Sequence, residues 1–374
     1  MNHRVCTRVC IIGVGLIGGS LGMALLQGGI AREVVGYDRQ RETLEKALEV
    51  GAISRPASSP QEAVQGAELV ILAVPVGVLP LVAGQIAPHL SPQAIVTDTG
   101  STKAQVVREL ESIFPPSVTY IGGHPMTGSE RSGIGAADRY LLENAVYVLT
   151  PTSKTPEEPL NRLKNVLTAV GARVIFLSPE KHDWVVGVVS HLPHILAVSL
   201  MRTVAKYSEE HRELLMLAAG GFRDTTRIAS GHPVMWRDIY LSNSQALLEI
   251  LESFEKEIRQ LAALIKERDG QGLLEALEDA RKWRGQIPVH RKGLLPPLHE
   301  IVITVPDKPG VIGFVGQILG QEGINISDIE ILRVREGEGG SIRLGFTNAS
   351  SAGRALNVLL RHGIPARHLH LDSR

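Results

Sequence analysis

Only two of the 374 residues are cysteines, Cys6 and Cys10. Two thiols cannot staple a chain of this size, and a C-x-x-x-C pair alone is no metal site. Both flank the first apolar run and read as reduced thiols beside a core strand. The chain also lacks an excess of either charge, with 39 Lys+Arg against 39 Asp+Glu. That balance argues against a nucleic-acid or anionic-membrane surface, though not against a local basic pocket for an acidic small molecule. No window approaches the ~20 uninterrupted apolar residues of a membrane span. The opening "MNHRVCTRVCIIGVG" has neither the apolar stretch nor the small-residue cleavage site of a secretory signal, so a cytoplasmic location is expected. Long internal repeats and low-complexity tracts are absent too.

What is there is ordinary globular material, 44% hydrophobic, in three segments. Over residues 1–176, short β-type runs (Arg8–Ile12, Glu33–Tyr37, Leu69–Val74, Ala94–Thr97, Thr119–Ile121) alternate with helical stretches such as Gly18–Gln27 and Lys103–Glu111. That alternation predicts an α/β domain with a parallel doubly wound sheet. Residues 177–296 turn helical, with Ser190–Tyr207 and a longer stretch, Met235–Arg268. In the latter, Leu247, Leu251, Phe254, Ile258, Leu261 and Ile265 follow a 4,3,4,3,4 spacing. That heptad seam faces another helix, in this chain or in a second copy. Gly285–Glu300 reads as a linker. Residues 297–374 then give strand, helix, strand, strand, helix (Ala352–His362) and a last strand at His368–Leu371, a small ferredoxin-like α+β unit.

"VCIIGVGLIGGSLG" places Gly13, Gly15 and Gly18 as G-x-G-x-x-G where the first strand passes into a helix. Gly13 permits the tight turn, Gly15 lets backbone approach a pyrophosphate, and Gly18 brings helix and strand together. The helix start, Leu16 and Ile17, then faces the phosphates. Asp38 follows Gly18 by twenty residues at the end of the next strand. Its carboxylate suits ribose hydroxyls and repels a 2′-phosphate, which favours NAD, while Arg39 and Arg41 are the features that would favour NADP. Capping of the following helix is the alternative role for Asp38.

In such a sheet, ligands bind beyond the carboxyl ends of the strands. "AVPVGV", "DTGSTKA" and "GGHPMTGSE" each begin where a strand ends, so Val74, Pro75, Ser101 and His124 converge on the crevice where a nicotinamide would lie. A dehydrogenase needs a group that takes a hydroxyl proton as hydride leaves the same carbon, and histidine suits that task. Ser101 could orient that imidazole or the nicotinamide amide, or serve only as the cap of the helix near Lys103. In "VVSHLPHIL", His191 and His194 share one helical face, packed or facing a ligand. Two histidines with no carboxylate partner make a weak metal site, and no metal is expected. Arg223 and Arg227 of "GGFRDTTRIA" could grip carboxylates bidentately, and Trp236 could wall an apolar pocket.

Taken in order, "GVGLIGGSLG", "YDR", "AVPV", "DTGSTK", "GGHPMTGSE", "HDWVVGVVSHLPH", "GGFRDTTRIA", "MWRDI" and "PDKPGVIGFVGQILGQEGINI" span nearly the whole chain. With them the chain resembles prephenate dehydrogenases of tyrosine biosynthesis, in the form carrying a C-terminal ACT domain. The resemblance implies NAD-dependent oxidative decarboxylation of prephenate to 4-hydroxyphenylpyruvate. It implies that His124 is the hydrogen-bond acceptor and base at the ring hydroxyl, supported by Ser101. His194 and Arg227 look like substrate-pocket residues, Arg227 being the carboxylate anchor. Glu130 is implied at the mouth, Trp236 at the pocket border, and a homodimer through the central helices. In the ACT-like part, Pro309, Gly310, Asn325 and Ile326 are implied near an effector site, with tyrosine as the natural effector. The competing readings are an arogenate dehydrogenase, another hydroxy-acid dehydrogenase with a similar N-terminal half, and a catalytically silent NAD- or amino-acid-binding regulator.

Overall fold

The computed structural model describes residues 6–127, 132–287, 299–306, 308–332 and 340–368. The chain divides into two compact units, residues 1–294 and 295–374.

The first unit is built on an eight-stranded sheet: β1 (Cys6–Ile12), β2 (Ala31–Tyr37), β3 (Arg55–Pro56), β4 (Leu69–Leu72), β5 (Ile95–Asp98), β6 (Thr119–Pro125), β7 (Val146–Thr150) and β8 (Arg173–Phe176), in the order 3-2-1-4-5-6-7-8. The first six follow the doubly wound order 3-2-1-4-5-6, whose strand order reverses beside β1 and so opens a crevice there. Strand periodicity sorts the core onto two faces: Val9 and Ile11 join one buried cluster, Cys10 and Ile12 the other. Both faces are covered by helices, which is why Leu69–Leu72 reads "LVIL" and is buried throughout.

Several boundaries differ from the sequence expectation. The sheet is mixed, because β7 pairs antiparallel with β6. That pairing extends β6 through His124 and Pro125, so His124 stands on a strand opposite Val148 and not in the loop after it. Strand β4 stops at Leu72, ahead of Val74. Helix α1 (Leu16–Gln27) follows the glycine turn, and α2 (Ala104–Ile113) follows β5.

After β8, α3 (Pro179–Val186), a π-helical turn (Gly187–His191) and α4 (Leu192–Ser208) form one 30-residue helical run. By length and composition alone that run could cross a membrane, with a mean hydropathy of 1.6 in its most apolar window, contrary to the expectation of no such segment. Its His182, Asp183 and His191 are nonetheless buried against other parts of this unit.

The stretch Met235–Arg268 is not one helix. It divides at Asn243 into α5 (Pro233–Ser242) and α6 (Ser244–Glu267). The Asn243 side chain donates to the Asp183 carbonyl at 2.8 Å and contacts His191 Nδ1 at 3.1 Å, and these tertiary bonds hold it at the break. Along α6 the heptad seam is buried at Leu247 but open at Ile258, Leu261 and Ile265, which are 50%, 41% and 64% exposed. A further helix, α7 (Gly270–Gln286), reaches into the segment read as linker.

The second unit is a four-stranded antiparallel sheet, β9 (His299–Val305), β10 (Asp328–Leu332), β11 (Gly340–Phe346) and β12 (Ala366–His368), ordered 10-11-9-12. Helices α8 (Val311–Gln321) and α9 (Ala349–Arg361) pack on one face through Val315, Leu319, Ala355 and Leu359. β10 starts at Asp328, so Asn325 and Ile326 precede that strand. β12 starts two residues before the expected His368, and residues 369–371 lie outside the described residues.

Candidate active site

The glycine turn has the geometry its spacing requires. Gly13 sits at φ +91°, and a Cβ there would lie 2.3 Å from the Ala73 carbonyl oxygen, so both backbone angle and space demand glycine. Gly18 packs as tightly, its notional Cβ 2.0 Å from the Gly13 carbonyl oxygen. Gly15 is the opposite case: beyond its own chain neighbours, nothing packs within 4 Å of where its Cβ would stand. Gly15 is also the N-cap of α1, so the first helical N–H groups, from Leu16 and Ile17 onward, are left for a ligand on that open side.

Asp38 belongs to the same construction. Its Oδ2 accepts from Val14 N–H at 3.1 Å and its Oδ1 from Gln40 N–H at 3.0 Å, while Gln40, not Asp38, is the N-cap of the next helix. Val74 stands beside the turn, its Cγ1 3.0 Å from the notional Gly13 Cβ, and the exposed Pro75 follows. Arg41 is engaged by Glu45 at 3.1 Å. An open, glycine-walled helix start with an acidic side chain at the end of β2 fits a dinucleotide.

At the ends of β5 and β6 one buried carboxylate organises the backbone. Asp98 Oδ1 accepts from Tyr120 O–H at 2.8 Å and Gly123 N–H at 3.1 Å; Oδ2 accepts from Gly100 N–H at 2.8 Å and pairs with Lys103 Nζ. Asp98 and Lys103 are both fully buried. These bonds hold the residues just before Ser101 and His124, and the Thr102 hydroxyl, 2.8 Å from that of Ser242, ties the loop to α5.

His124 Nδ1 lies 2.8 Å from His182 Nε2, and His182 Nδ1 lies 2.8 Å from Asp183 Oδ1. Asp183 also accepts the N–H groups of Lys103 at 2.7 Å and Ala104 at 2.8 Å. It therefore caps α2, the role that Ser101 was considered for. The ring partner of His124 is His182, not Ser101. Burial, then the neighbouring His182, Lys103 and His191, hold His124 well below the ordinary histidine pKa. Burial likewise lowers His182, and takes His191 to about 4.

A second group faces the same helical run. His194 stacks on Trp236 with centroids 3.5 Å apart and planes 12° from parallel, and its Nδ1 meets the Tyr240 hydroxyl. His194 Nε2 is buried without a hydrogen bond of normal geometry, on the side of the Ile228 carbonyl. Arg227, adjacent to Ile228, opens the 3-10 turn Arg227–Ser230 and is exposed. Glu130 lies outside the described residues. Asp98, Lys103, His182, Asp183, Tyr240 and Asn243 were not singled out as site residues from sequence, although most lie inside the motifs quoted. Among the described residues no group of three metal-ligating side chains occurs. A cavity of about 360 Å³ lies by Pro115–Thr119, at the opposite end of β6.

Residues 21–176, 178–279 and 299–363 match the families described as the nucleotide-binding domain of prephenate dehydrogenase, the dimerization domain of prephenate dehydrogenase, and the ACT domain. The prephenate dehydrogenase of Bacillus subtilis (strain 168) is 36% identical over 356 residues, covering 95% of this chain and 96% of that protein. The crystal structure of the A. aeolicus prephenate dehydrogenase in complex with hydroxyphenyl propionate and NAD+ is 37% identical. It superposes with a TM-score of 0.72 and covers 75% of this chain and 98% of that one. Synechocystis arogenate dehydrogenase is 32% identical, with a TM-score of 0.66 over 75% of this chain and all of that one. With the glycine turn, the placed histidines and these likenesses together, this chain belongs to the prephenate dehydrogenase family.

Proposed function

We propose that the protein catalyses NAD-dependent oxidative decarboxylation of prephenate to 4-hydroxyphenylpyruvate. The observation carrying this reading is the place of the His124 imidazole, its pKa pushed down by burial, at the carboxyl end of β6, on the side of the sheet where the glycine turn opens. A bound nicotinamide supplies the hydride acceptor. His124 accepts the hydrogen bond, and then the proton, of the ring hydroxyl as hydride leaves the carbon bearing it. Loss of the ring carboxylate as CO2 then completes the aromatic ring. Ser101, held beside the Asp98-bound Gly100, supports that hydroxyl. His194 and Trp236 form a wall of the pocket, Arg227 anchors a carboxylate, and Glu130 is assigned to the mouth. Gly13, Gly15, Leu16, Ile17, Gly18, Val74 and Pro75 hold the dinucleotide. The Asp38 carboxylate selects NAD over NADP by its repulsion of a 2′-phosphate. The likeness to an arogenate dehydrogenase supports the amino analogue as the second reading.

The open seam at Ile258, Leu261 and Ile265 supports a homodimer through α6. In the ACT domain, Gly310 adopts φ +90° as the N-cap of α8, with Pro309 and Asn325 exposed and Ile326 half-buried near the strand start. Exposed N–H groups at that helix start suit the α-carboxylate of tyrosine, the proposed feedback effector. The test is reduced-cofactor formation with prephenate or arogenate, with NAD or NADP, with and without tyrosine. Turnover of prephenate with NAD, slowed by tyrosine, is expected. Turnover of arogenate alone removes the substrate assignment, and no response in rate or melting temperature removes the effector.

The pH dependence has a definite sign. The neutral ring is the active form, and burial disfavours its charged form. kcat/KM for prephenate is therefore flat through pH 6.5 and falls only as the pH drops well below it. An acidic limb at or above 6.5 assigned to His124 contradicts this.

A further inference from the structure

The contact between His124 and His182 raises a question that distance alone leaves open: which nitrogen carries each proton. We infer that His182 and Asp183 are positioning residues that fix the tautomer of His124, with hydrogen on Nδ1 and the bare Nε2 turned to the substrate. The inference rests on the proposed role of His124 as acceptor.

A chain of hydrogen bonds runs outward from Asp183 through His182 to His124. The Asp183 carboxylate accepts two backbone N–H groups, Lys103 at 2.7 Å and Ala104 at 2.8 Å, at the N-terminus of α2. Both backbone groups bring hydrogens to it, so its two oxygens act there as acceptors. The hydrogen between Asp183 Oδ1 and His182 Nδ1 must then sit on His182. A neutral imidazole carries one N–H, so His182 Nε2 is bare and can only accept. The 2.8 Å contact with His124 Nδ1 is a hydrogen bond only if His124 supplies the hydrogen there. A neutral His124 is left with a bare Nε2, the acceptor that oxidation of a hydroxyl needs.

The surroundings reinforce the order. His182 is fully buried, so water cannot reach it to reverse the chain. The other charges acting on it are Lys103, already paired with Asp98, and Asp98 itself. Asn243 donates to the Asp183 carbonyl and faces His191 Nδ1, which anchors the backbone of the pair from α6's side. Asp183 thus serves two structures at once, the cap of α2 and the histidine chain.

The first test is the 15N spectrum of selectively labelled, full-length wild-type protein at pH 7.5, which reads the tautomer without reference to activity. Protonated Nδ1 and bare Nε2 on His124 are expected, and the reverse overturns the inference. The second is Asp183→Asn. With Nδ2 at the place of Oδ1 the amide donates to His182, which reverses the chain and puts hydrogen on His124 Nε2; its oxygen, at the place of Oδ2, keeps the Ala104 N–H, and the Lys103 N–H bond is lost. A carboxylate-to-amide change of this kind in the serine-protease triad costs about 10⁴-fold in kcat through the wrong tautomer. Here a loss of about 10²–10⁴-fold in kcat is expected, with NAD affinity unchanged and the 15N pattern reversed. Wild-type turnover with an unchanged pattern overturns the inference.

Should Asp183→Asn fail to fold, the pair His182→Gln and His182→Leu decides. Glutamine can accept from His124 and donate to Asp183, so activity within about ten-fold of wild type is expected. Leucine fills the space and accepts nothing, so about 10²-fold less is expected. Equal losses in the two mean that His182 only packs, and overturn the inference. If prephenate is not the substrate, the 15N result on the wild type still stands, so the two failures are distinguishable.

Discussion

Replacing His124 by asparagine is expected to lower kcat for prephenate by about 10²–10⁴-fold, the range of a lost general base, while leaving NAD affinity within about two-fold. Asparagine is the informative replacement because its amide can occupy the place of Nδ1 and keep a bond to His182. Only the ring edge beyond Nδ1 disappears. The glycine turn and Asp38 are bonded within β1, α1 and the end of β2, and none of those bonds involves His124. Cofactor affinity, from NAD titration by fluorescence, therefore reports whether the fold around the turn survived. Single-turnover kinetics separates the chemical step from product release. A variant that turns over prephenate near the wild-type rate removes His124 from the chemistry. A variant that loses NAD binding as well assigns the residue to structure.

The parts legible in the sequence are those that depend on residues near one another in the chain. The G-x-G-x-x-G turn, and Asp38 twenty residues after Gly18, could be placed because strand, turn, helix and next strand form one local unit. The ends of β5 and β6 could be recognised as crevice loops for the same reason. What could not be read were the partners that only the tertiary fold brings in. His182 meets His124 across 58 positions, Asp183 meets Lys103 across 80, and Asn243 meets Asp183 across 60. Hydrophobic periodicity carries no signal for such polar contacts.

The break at Asn243 was hidden in the same way. The apolar spacing around it continues as though the helix did, and only bonds to Asp183 and His191 show why the chain turns. Likewise, the antiparallel β7 could not be anticipated from a pattern of alternating strands and helices, so His124 was assigned to a loop when β7 makes it part of a strand.

The second large effect concerns stability. Lys103→Met is expected to destabilise the first unit by about 3–5 kcal/mol, seen as a lower urea midpoint, because it removes the partner of a fully buried carboxylate. Methionine keeps most of the stem and its packing, so the loss measures charge more than volume. The Asp98 carboxylate would still hold Tyr120, Gly123 and Gly100, yet neutral donors do not replace a cation in a site that water cannot enter. The decisive comparison is the double variant Asp98→Asn/Lys103→Met. If the cost of the single change is an unpaired buried charge, removing that charge restores part of the stability. The double variant then unfolds at higher urea than Lys103→Met alone. If it unfolds at lower urea, Asp98 matters as the anchor of the backbone before Ser101 and His124 more than as a counter-charge. In both cases turnover should fall, since Gly100 and Gly123 take their positions from the same carboxylate.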